Sequence, residues 1–495
     1  MTERKLERSM GLLSGISMIV GVIIGCGIFI SPVDILKATD NVGMSLIVWL
    51  ICGIIATLGS LIFAELGCNF QESGGIYTYA NELGSVYGFH IMWAMMFVLN
   101  PCSIAAKAIA ASSNLIQLCF VGCSAPIIII IIISICIILK YLGLFTHINM
   151  SSTYMSNVIQ KLFTLMKIAV CIFIFSVGVY NLCIGKYGAL ENSFDGFFSK
   201  LNGGFIIALY QCLFSFNGWY SLNFLTEELK SPERNLPRSI IISLPLIIAI
   251  YIMTNIGYLT QISKEEFIAS CSIGLTFAGS VHLYATYIIP IFIACSCIGS
   301  INGNMLSVTR MYFVAARKNH LPKAFSFIDV TNTPGFSVLF TGVTSIFFVF
   351  ISKIDVLISA VSFIEACAVL LCVYILIKIR SNKNYKSTLK LNIFIIYIFF
   401  ILQLMIIIAG LIFQPLHCLL GVVIVLTGIP FYILFVVKKL EINSITSLTN
   451  AINYYYQLIR MALPEKNESI TFNSEKYEII NDESENIYNQ DIKKQ

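Results

Sequence analysis

Charged residues are scarce in this 495-residue chain: aspartate, glutamate, lysine and arginine make up 12% of it, whereas 57% is hydrophobic. Apolar stretches of 18 or more residues recur along the chain, which excludes a soluble globular protein and predicts repeated crossing of a lipid bilayer. The net charge of +5 is small and lies between the apolar stretches. It therefore indicates membrane topology and no nucleic-acid partner.

Other absences narrow the class of protein further. The sixteen cysteines lie mostly inside apolar stretches and show no metal-ligand spacing, so we expect neither a disulfide framework nor a metal site. No small-residue cleavage site follows the first apolar stretch, which we interpret as a retained membrane helix. We expect no cofactor, no catalytic nucleophile and no enzymatic reaction.

The apolar stretches predict an all-α polytopic membrane protein with about twelve transmembrane helices. They cover residues 12–33, 43–67, 86–118, 126–145, 156–183, 204–226, 239–260, 285–312, 335–352, 355–378, 390–412 and 416–437. Lysine and arginine cluster before the first helix and after the sixth, eighth, tenth and twelfth. By the positive-inside rule, both termini are cytoplasmic.

The same pattern divides the chain into four regions. They are an N-terminal tail (1–11), a transporter domain (12–437), an amphipathic helix on the inner membrane face (438–464) and a polar tail expected to be disordered (465–495). The loop after the second helix contains Ser73–Tyr77, rich in glycine, and is a candidate folded or re-entrant segment.

The first apolar stretch is interrupted where a membrane helix should continue. Gly25 and Gly27 flank Cys26, and Pro32 follows. Glycine inside a helix costs about 1 kcal/mol relative to alanine. Open backbone at membrane depth is tolerated only inside protein or beside a cavity. The stretch is therefore either a close packing face or a broken helix that binds a ligand.

A second interruption favours the broken helix. Phe214–Trp219 places Asn217 and Gly218 in the middle of the sixth helix, the first helix of a second group of five. Breaks at corresponding positions of two halves indicate a 5+5 inverted-repeat transporter, with helices 1 and 6 discontinuous and two extra helices. The repeats cover approximately 12–183 and 204–378.

The chemistry of the two breaks suits an α-amino acid. A half-helix that begins near Cys26 and Gly27 presents unpaired N–H groups and a positive dipole end to a carboxylate. Unwound carbonyls near Ile23, Phe214 and Asn217 suit an ammonium group. Glycine permits close approach of the backbone to the substrate.

Three segments carry a resemblance to a known family. IIGCGIFISP, FSFNGWYSLNFLTEELKSPERNLP and GSINGNMLSVTRMYFVAARKNHLP resemble the light chains of heteromeric amino acid transporters, in the amino acid–polyamine–organocation superfamily. The likeness runs from about residue 8 to 464. It implies a plasma-membrane, twelve-helix transporter that exchanges amino acids without sodium.

The resemblance also implies roles for particular residues. Cys26 and Gly27 would hold the substrate carboxylate, the carbonyls of Ile23, Phe214 and Asn217 would hold its amine, and Phe214 would be an aromatic gate. The remaining residues assigned to the pocket are Ile24, Gly25, Ser103 and Gly218.

Two further residues match positions with special roles in the family. Lys167 matches a lysine near the sodium site of coupled relatives and would replace the ion's charge; the alternative is a lysine that snorkels to the interface. Cys123, in the short external loop after the third helix, would form a disulfide to a single-span glycoprotein heavy chain. The alternative is that Cys123 is a free surface thiol.

Lys107 and Glu365 lie at positions where the family usually has apolar or aromatic pocket residues. Opposite charges at two pocket positions suggest a buried ion pair, since an isolated charge at this depth costs several kcal/mol. The alternative is that each charge meets a different polar partner. A pair would widen the pocket and let Glu365 engage a cationic substrate.

The sequence therefore predicts a sodium-independent exchanger of neutral and cationic α-amino acids that works by alternating access as the light chain of a heterodimer. One alternative is a stand-alone proton-coupled carrier of amino acids or polyamines. Another, of a different class, is a non-transporting amino acid sensor or scaffold.

Overall fold

A computed structural model describes residues 6–119, 127–191, 193, 203–270, 272–350, 354–381, 387–440 and 443–463. Within these ranges the chain is helical, and its β-structure is limited to two isolated bridges, Met10–Leu229 and Ile328–Leu463. The all-α prediction is confirmed for the part of the chain that the structure describes.

The α-helices are numbered in chain order. They are α1 (Leu12–Ile23), α2 (Gly27–Thr39), α3 (Val42–Asn69), α4 (Ile76–Leu83), α5 (Ser85–Ala94), α6 (Asn100–Cys119), α7 (Ile127–Ser151), α8 (Thr153–Cys183), α9 (Gly203–Ser215), α10 (Pro232–Gln261), α11 (Lys264–Ala269), α12 (Ile273–Val281), α13 (Leu283–Arg317), α14 (Gly335–Val349), α15 (Ile354–Arg380), α16 (Ile393–Phe413), α17 (Pro415–Leu426), α18 (Gly428–Phe431) and α19 (Asn443–Arg460). A π-helical turn at Met95–Leu99 joins α5 to α6, and a 3-10 helix at Ser221–Glu228 follows α9.

Eight helical segments among the described residues are long and apolar enough to cross a membrane, and a ninth span results if α1 and α2 are joined across their 43° bend. Three shorter apolar helices lie at Ile135–Ser151, Gly203–Ser215 and Gly335–Val349. They coincide with the fourth, sixth and ninth predicted spans. A multi-pass membrane protein is thus confirmed, and the count of twelve stays a prediction.

Polar side chains define where several membrane helices begin. The Asn41 side chain accepts a hydrogen bond from the Met44 N–H at 2.8 Å, and Ser152 accepts one from the Met155 N–H at 3.3 Å. Such caps satisfy backbone donors that have no partner in the first turn. They fix the start of α3 and α8, which pack around the broken first helix.

Ion pairs cover the N-terminal side of the bundle, which we expect to be cytoplasmic. Arg310 on α13 lies 2.5 Å from Glu228 at the end of the 3-10 helix, and both side chains are buried. Arg317 lies 2.6 Å from Glu227. The 3-10 helix after the second break is therefore fastened to α13 by charged groups.

The glycine-rich segment after α3 is folded against this side of the bundle. The Ser73 N–H donates to Glu227 Oε1 at 3.0 Å, and α4 begins after Gly75. His320, just beyond α13, contacts the hydroxyl of Tyr77 at 2.9 Å and that of Ser85 at 2.7 Å. Burial lowers the pKa of His320 to about 4, so this junction holds a neutral imidazole at neutral pH.

The C-terminal helix α19 docks on the loop after α13. Asp329, which is 1% exposed, accepts hydrogen bonds from the Tyr456 hydroxyl and from Arg460 Nε, both at 2.8 Å. Between Tyr456 and Arg460 on α19, the apolar side chains of Leu458 and Ile459 are exposed. The helix is amphipathic, with one face on the protein and an apolar face left outside, as a helix on a membrane surface requires.

Candidate functional site

The first predicted break lies between α1 and α2. Gly25 closes a tight turn, with its N–H 2.8 Å from the Ile23 carbonyl, and α2 begins at Gly27. Ser300 on α13 donates to the Gly21 carbonyl at 3.0 Å, and Ser296 donates to the Gly25 carbonyl at 3.2 Å. The carbonyls released by the break are therefore held by hydroxyls from a neighbouring helix.

Lys167 on α8 completes this shell of donors. Its side chain is fully buried, and its Nζ donates to the Gly21 carbonyl at 2.5 Å and to Ser300 Oγ at 2.9 Å. Complete burial excludes the snorkelling alternative, because a snorkelling lysine keeps its ammonium in water. The ammonium lies against the last turn of α1, where the helix dipole places partial negative charge.

The Ile23 carbonyl was expected to be available to a ligand, but it already accepts hydrogen bonds within the protein. It accepts the Gly25 N–H and, at 2.9 Å, the hydroxyl of Tyr251 on α10. The same hydroxyl lies 2.9 Å from the Ser215 carbonyl at the end of α9. In this conformation Tyr251 bridges the two breaks, and an ammonium group that binds Ile23 must share or displace that contact.

The second predicted break follows α9, which ends at Ser215. Gly218 has a φ of +96°, a backbone conformation that favours glycine, and the chain continues as a 3-10 helix from Ser221. The two breaks face each other closely: a Cβ on Gly27 would lie 2.9 Å from the Ser215 Cα, and one on Gly218 would lie 2.4 Å from Val22 Cγ1. Glycine at these positions therefore permits the contact.

Glu365 on α15 points at the second break. Its Oε2 accepts the Asn217 Nδ2 at 2.6 Å, and its Oε1 accepts the Tyr220 hydroxyl at 2.7 Å. Lys107 and Glu365 both lie in the described ranges, and no ion pair joins them there. Of the two alternatives, the Lys107–Glu365 pair is not formed in this conformation, in which each carboxylate oxygen accepts a hydrogen bond from the second break.

Lys107 instead lies beside the first break. It is half-buried on α6, next to Ala106, which borders the same cavity as Cys26 and Gly27. Glu365 thus has polar partners other than Lys107 in this conformation. One cation accompanies the first break and one carboxylate accompanies the second.

A cavity of about 590 Å³ opens beside the breaks. Its inner end includes Cys26, Gly27 and Phe214, and its outer end includes Asp34 and Gln414. This outer end faces away from the N-terminal side, where the ion pairs lie. The site is thus accessible from the side opposite the N-terminus.

Two smaller cavities flank Glu365 and Asn217. One of about 70 Å³ also contains Phe214, and one of about 40 Å³ contains Ser103 and Gly218. Phe214 borders both the large cavity and the 70 Å³ cavity.

Most of the residues predicted for the site thus converge. Those at the first break or on the large cavity are Ile23, Ile24, Gly25, Cys26, Gly27, Lys107 and Lys167, and those around the second break are Ser103, Phe214, Asn217, Gly218 and Glu365. Cys123 lies outside the described residues. No group of three or more histidine, cysteine or acidic side chains forms a metal-binding cluster in the described ranges.

The prediction missed four residues whose side chains organise the site: Tyr220, Tyr251, Ser296 and Ser300. Ser296 and Ser300 are four residues apart and so share one face of α13. That spacing in an apolar helix is a signal for a polar face. Tyr251 stands alone in an apolar stretch, and nothing in its sequence context marks it.

A comparison with protein families matches residues 10–437, which include both breaks and every helix through α18. The matching family is described as amino acid permease. This chain belongs to the amino acid permease family. The expected membership is thereby confirmed on a match that covers most of the chain.

Relatives within the amino acid permease family include named transporters. The chain is 35% identical over 441 residues to the b(0,+)-type amino acid transporter 1 of Mus musculus, covering 88% of this chain and 89% of the relative. It is 34% identical over 435 residues to the large neutral amino acids transporter small subunit 2 of Oryctolagus cuniculus, covering 87% and 80%. It is 32% identical over 467 residues to the human cystine/glutamate transporter, covering 94% and 92%.

Proposed function

We propose that this permease is a sodium-independent exchanger of neutral and cationic α-amino acids that works by alternating access. The observation that carries the proposal is the apposition of two broken helices, Gly27 against Ser215, at the inner end of a 590 Å³ cavity. Broken helices at the middle of a membrane are a known arrangement for binding small charged substrates. Twelve spans in a 5+5 inverted repeat are part of the same proposal.

The ends of the broken helices suit the two charged groups that all α-amino acids share. The first N–H groups of α2, at Cys26 and Gly27, lie on the cavity and suit the carboxylate. The carbonyls of Ile23, Phe214 and Asn217 suit the ammonium group. Because both contacts use backbone atoms, they select the amino acid end and leave the side chain to other residues.

Lys167 supports transport without sodium. Its ammonium is buried and bonded to the Gly21 carbonyl, where a bound cation would otherwise stabilise the free carbonyls of the break. A fixed charge at this point removes the need for a dissociable one. We therefore expect uptake to be the same in sodium and in choline buffers.

Glu365 supports the acceptance of cationic side chains. Its carboxylate lies beside the second break. Among the described residues, it accepts hydrogen bonds from neutral donors and has no cation bonded to it. A substrate guanidinium or ammonium gives it a partner of opposite charge. A neutral side chain leaves the contacts to Asn217 and Tyr220 in place.

We further propose that the permease is the light chain of a plasma-membrane heterodimer with cytoplasmic termini. Its resemblance to the small subunit 2 of a large neutral amino acids transporter supports an assembly with a second chain. The proposed link is a disulfide between Cys123 and a single-span glycoprotein. A non-reducing gel of native membranes tests this: a reducible, larger species is expected, and its absence counts against the covalent partner.

The function is tested by uptake of radiolabelled leucine and arginine into proteoliposomes. Exchange predicts fast uptake when the vesicles contain unlabelled amino acid and slow uptake when they are empty. Concentrative uptake driven by a proton gradient and indifferent to internal substrate would instead identify a proton-coupled carrier. Binding without any uptake would identify a sensor or scaffold.

A further inference from the structure

A glutamine lies buried in the middle of an apolar membrane helix. Gln403 belongs to α16, which is apolar enough to cross a membrane and contains no charged residue. Its side chain is 7% exposed. A buried amide at membrane depth is unfavourable unless its polar atoms find partners, and polar residues there commonly mark a functional site. The proposed contacts to the amino acid end of the substrate do not involve Gln403.

The two ends of the Gln403 amide have different surroundings. The nitrogen Nε2 donates to the Ala366 carbonyl on α15 at 3.1 Å. Because a carbonyl oxygen only accepts hydrogen bonds, this contact identifies the nitrogen end of the amide. The oxygen Oε1 accepts no hydrogen bond from the residues that the structure describes. It is therefore an acceptor that a bound group can use.

Gln403 borders the cavity of about 70 Å³ that also contains Glu365. Of the described residues that line this cavity, Glu365 alone carries a charge. Its two oxygens accept hydrogen bonds from Asn217 and Tyr220, and an ionised carboxylate has about four acceptor sites, so further donors can bind. The cavity thus has a negative charge and a neutral acceptor, from α15 and α16, on its walls.

This cavity is continuous with the substrate region through shared residues. Tyr210, Phe214 and Ser362 border both it and the 590 Å³ cavity, so the two spaces adjoin. Asn217 of the second break also lines it. A substrate whose amine binds the carbonyls of Phe214 and Asn217 therefore begins its side chain beside this cavity. One water molecule needs only about 10–15 Å³, so the cavity has room for a small terminal group.

We propose that this cavity receives the cationic end of a lysine or arginine side chain, with Glu365 as the opposite charge and Gln403 Oε1 as a second acceptor. The proposal rests on the proposed function, to which it adds a specificity-determining residue on α16. An ammonium has three donors and a guanidinium has five, so either group can bond both acceptors. A leucine side chain has no donor, and a short cationic side chain does not reach the cavity.

The subsite is tested by binding to the purified full-length protein, with dissociation constants taken from the thermal stabilisation that each amino acid gives. In Gln403→Met, which keeps an unbranched side chain and removes the amide, the constants for arginine and lysine are expected to rise about 10-fold. Those for leucine and 2,4-diaminobutyrate, whose ammonium lies two carbons closer to the amino acid end than that of lysine, should change little.

The matched control is Tyr397→Phe, which removes a polar group from the same helix at a position that is 48% exposed. It is expected to change none of the four constants. Should Gln403→Met not fold, Gln403→Asn draws the amide back by one carbon and is expected to weaken arginine and lysine selectively.

The outcomes separate the subsite from the proposed function. Equal weakening of arginine and leucine, an unchanged constant for arginine, or a loss for 2,4-diaminobutyrate as large as that for lysine overturns the subsite and leaves exchange untouched. If the parent protein binds neither arginine nor lysine, the subsite and the acceptance of cationic substrates are both overturned. Selective weakening in a protein that takes up no amino acid into proteoliposomes overturns exchange and supports the subsite.

Discussion

The two helix breaks of this permease are stabilised by different kinds of polar contact. At the first break, Ser296, Ser300 and Lys167 bind main-chain carbonyls, so the side chains serve the backbone. At the second, Asn217 and Tyr220 bind the Glu365 side chain. The first break thus presents a fixed main-chain surface, and the second presents a side-chain cluster that substitution can vary. In the proposed function, the main-chain surface of the first break binds the carboxylate that all substrates share, and the side-chain cluster at the second break distinguishes their side chains.

The largest expected effect comes from closing the gap between the breaks. In Gly27→Ala the new Cβ meets the Ser215 Cα at 2.9 Å, and a backbone atom cannot rotate away. Overpacking of this kind costs about 1–3 kcal/mol, so we expect uptake of every amino acid to fall by up to ~100-fold. The control is Gly279→Ala on α12, where a Cβ meets nothing within 4 Å. Equal rates in the two variants would contradict the close apposition.

Removing the ammonium at the first break is expected to have the next largest effect. Lys167→Met leaves the Gly21 carbonyl without its charged donor, and a hydrogen bond to a charged group contributes about 1.5–3 kcal/mol, or roughly 10- to 100-fold. Uptake of leucine and arginine should fall in parallel. Lys161→Met, on an exposed face of the same helix, is the matched control. A loss of uptake confined to arginine would contradict the proposal that the first break binds the part that all amino acid substrates share.

Glu365→Gln is expected to separate the substrates. The variant keeps oxygen and nitrogen atoms near Asn217 and Tyr220 but loses the charge. Uptake of arginine and lysine should fall about 10-fold, corresponding to ~1.4 kcal/mol, while that of leucine and phenylalanine changes little. Competition assays in proteoliposomes with all four amino acids make the measurement. Equal losses of uptake for the four amino acids would indicate that Glu365 has a structural role and does not determine substrate selectivity.

The smallest effect is expected from trimming one donor at the second break. Tyr220→Phe removes a single hydrogen bond to Glu365 Oε1 and keeps the ring. A typical hydrogen bond contributes about 0.5–1.5 kcal/mol, so the ratio of arginine to leucine uptake should shift by roughly 3-fold. Tyr251→Phe, which removes the hydroxyl that bridges both breaks, should instead slow both substrates. The same change in the ratio of arginine to leucine uptake in both variants would contradict the proposal that the two breaks have different roles.

Local signals in the sequence were sufficient for both breaks. Glycines at positions 25, 27 and 218 interrupt apolar helices, and the structure ends α1 and α9 beside them. The ends of helices that extend beyond the membrane were harder to predict from the sequence. The helix α10 begins at Pro232, seven residues before the predicted start at 239, because proline at a first helical position and polar residues continue it outside the apolar stretch.

The partners of the breaks could not be predicted, because they come from distant parts of the chain. Tyr251 lies 228 residues from Ile23 in sequence, and Glu365 lies 148 from Asn217. Helix packing brings these groups together, and hydropathy carries no information on which apolar helices touch. For the same reason the sequence left open whether Lys107 and Glu365 pair, and in the structure Glu365 bonds Asn217 and Tyr220.

The covalent attachment of the Lys167 ammonium has an energetic consequence for the proposed exchange. A charge fixed to the chain returns to its starting position in every cycle, so it moves no net charge across the bilayer and draws on no ion gradient. The membrane potential then acts on the cycle through the substrates, at about 2.3 kcal/mol per unit charge per 100 mV. Exchange of two neutral amino acids is electrically silent, whereas arginine exchanged for leucine carries a current whose direction follows the voltage.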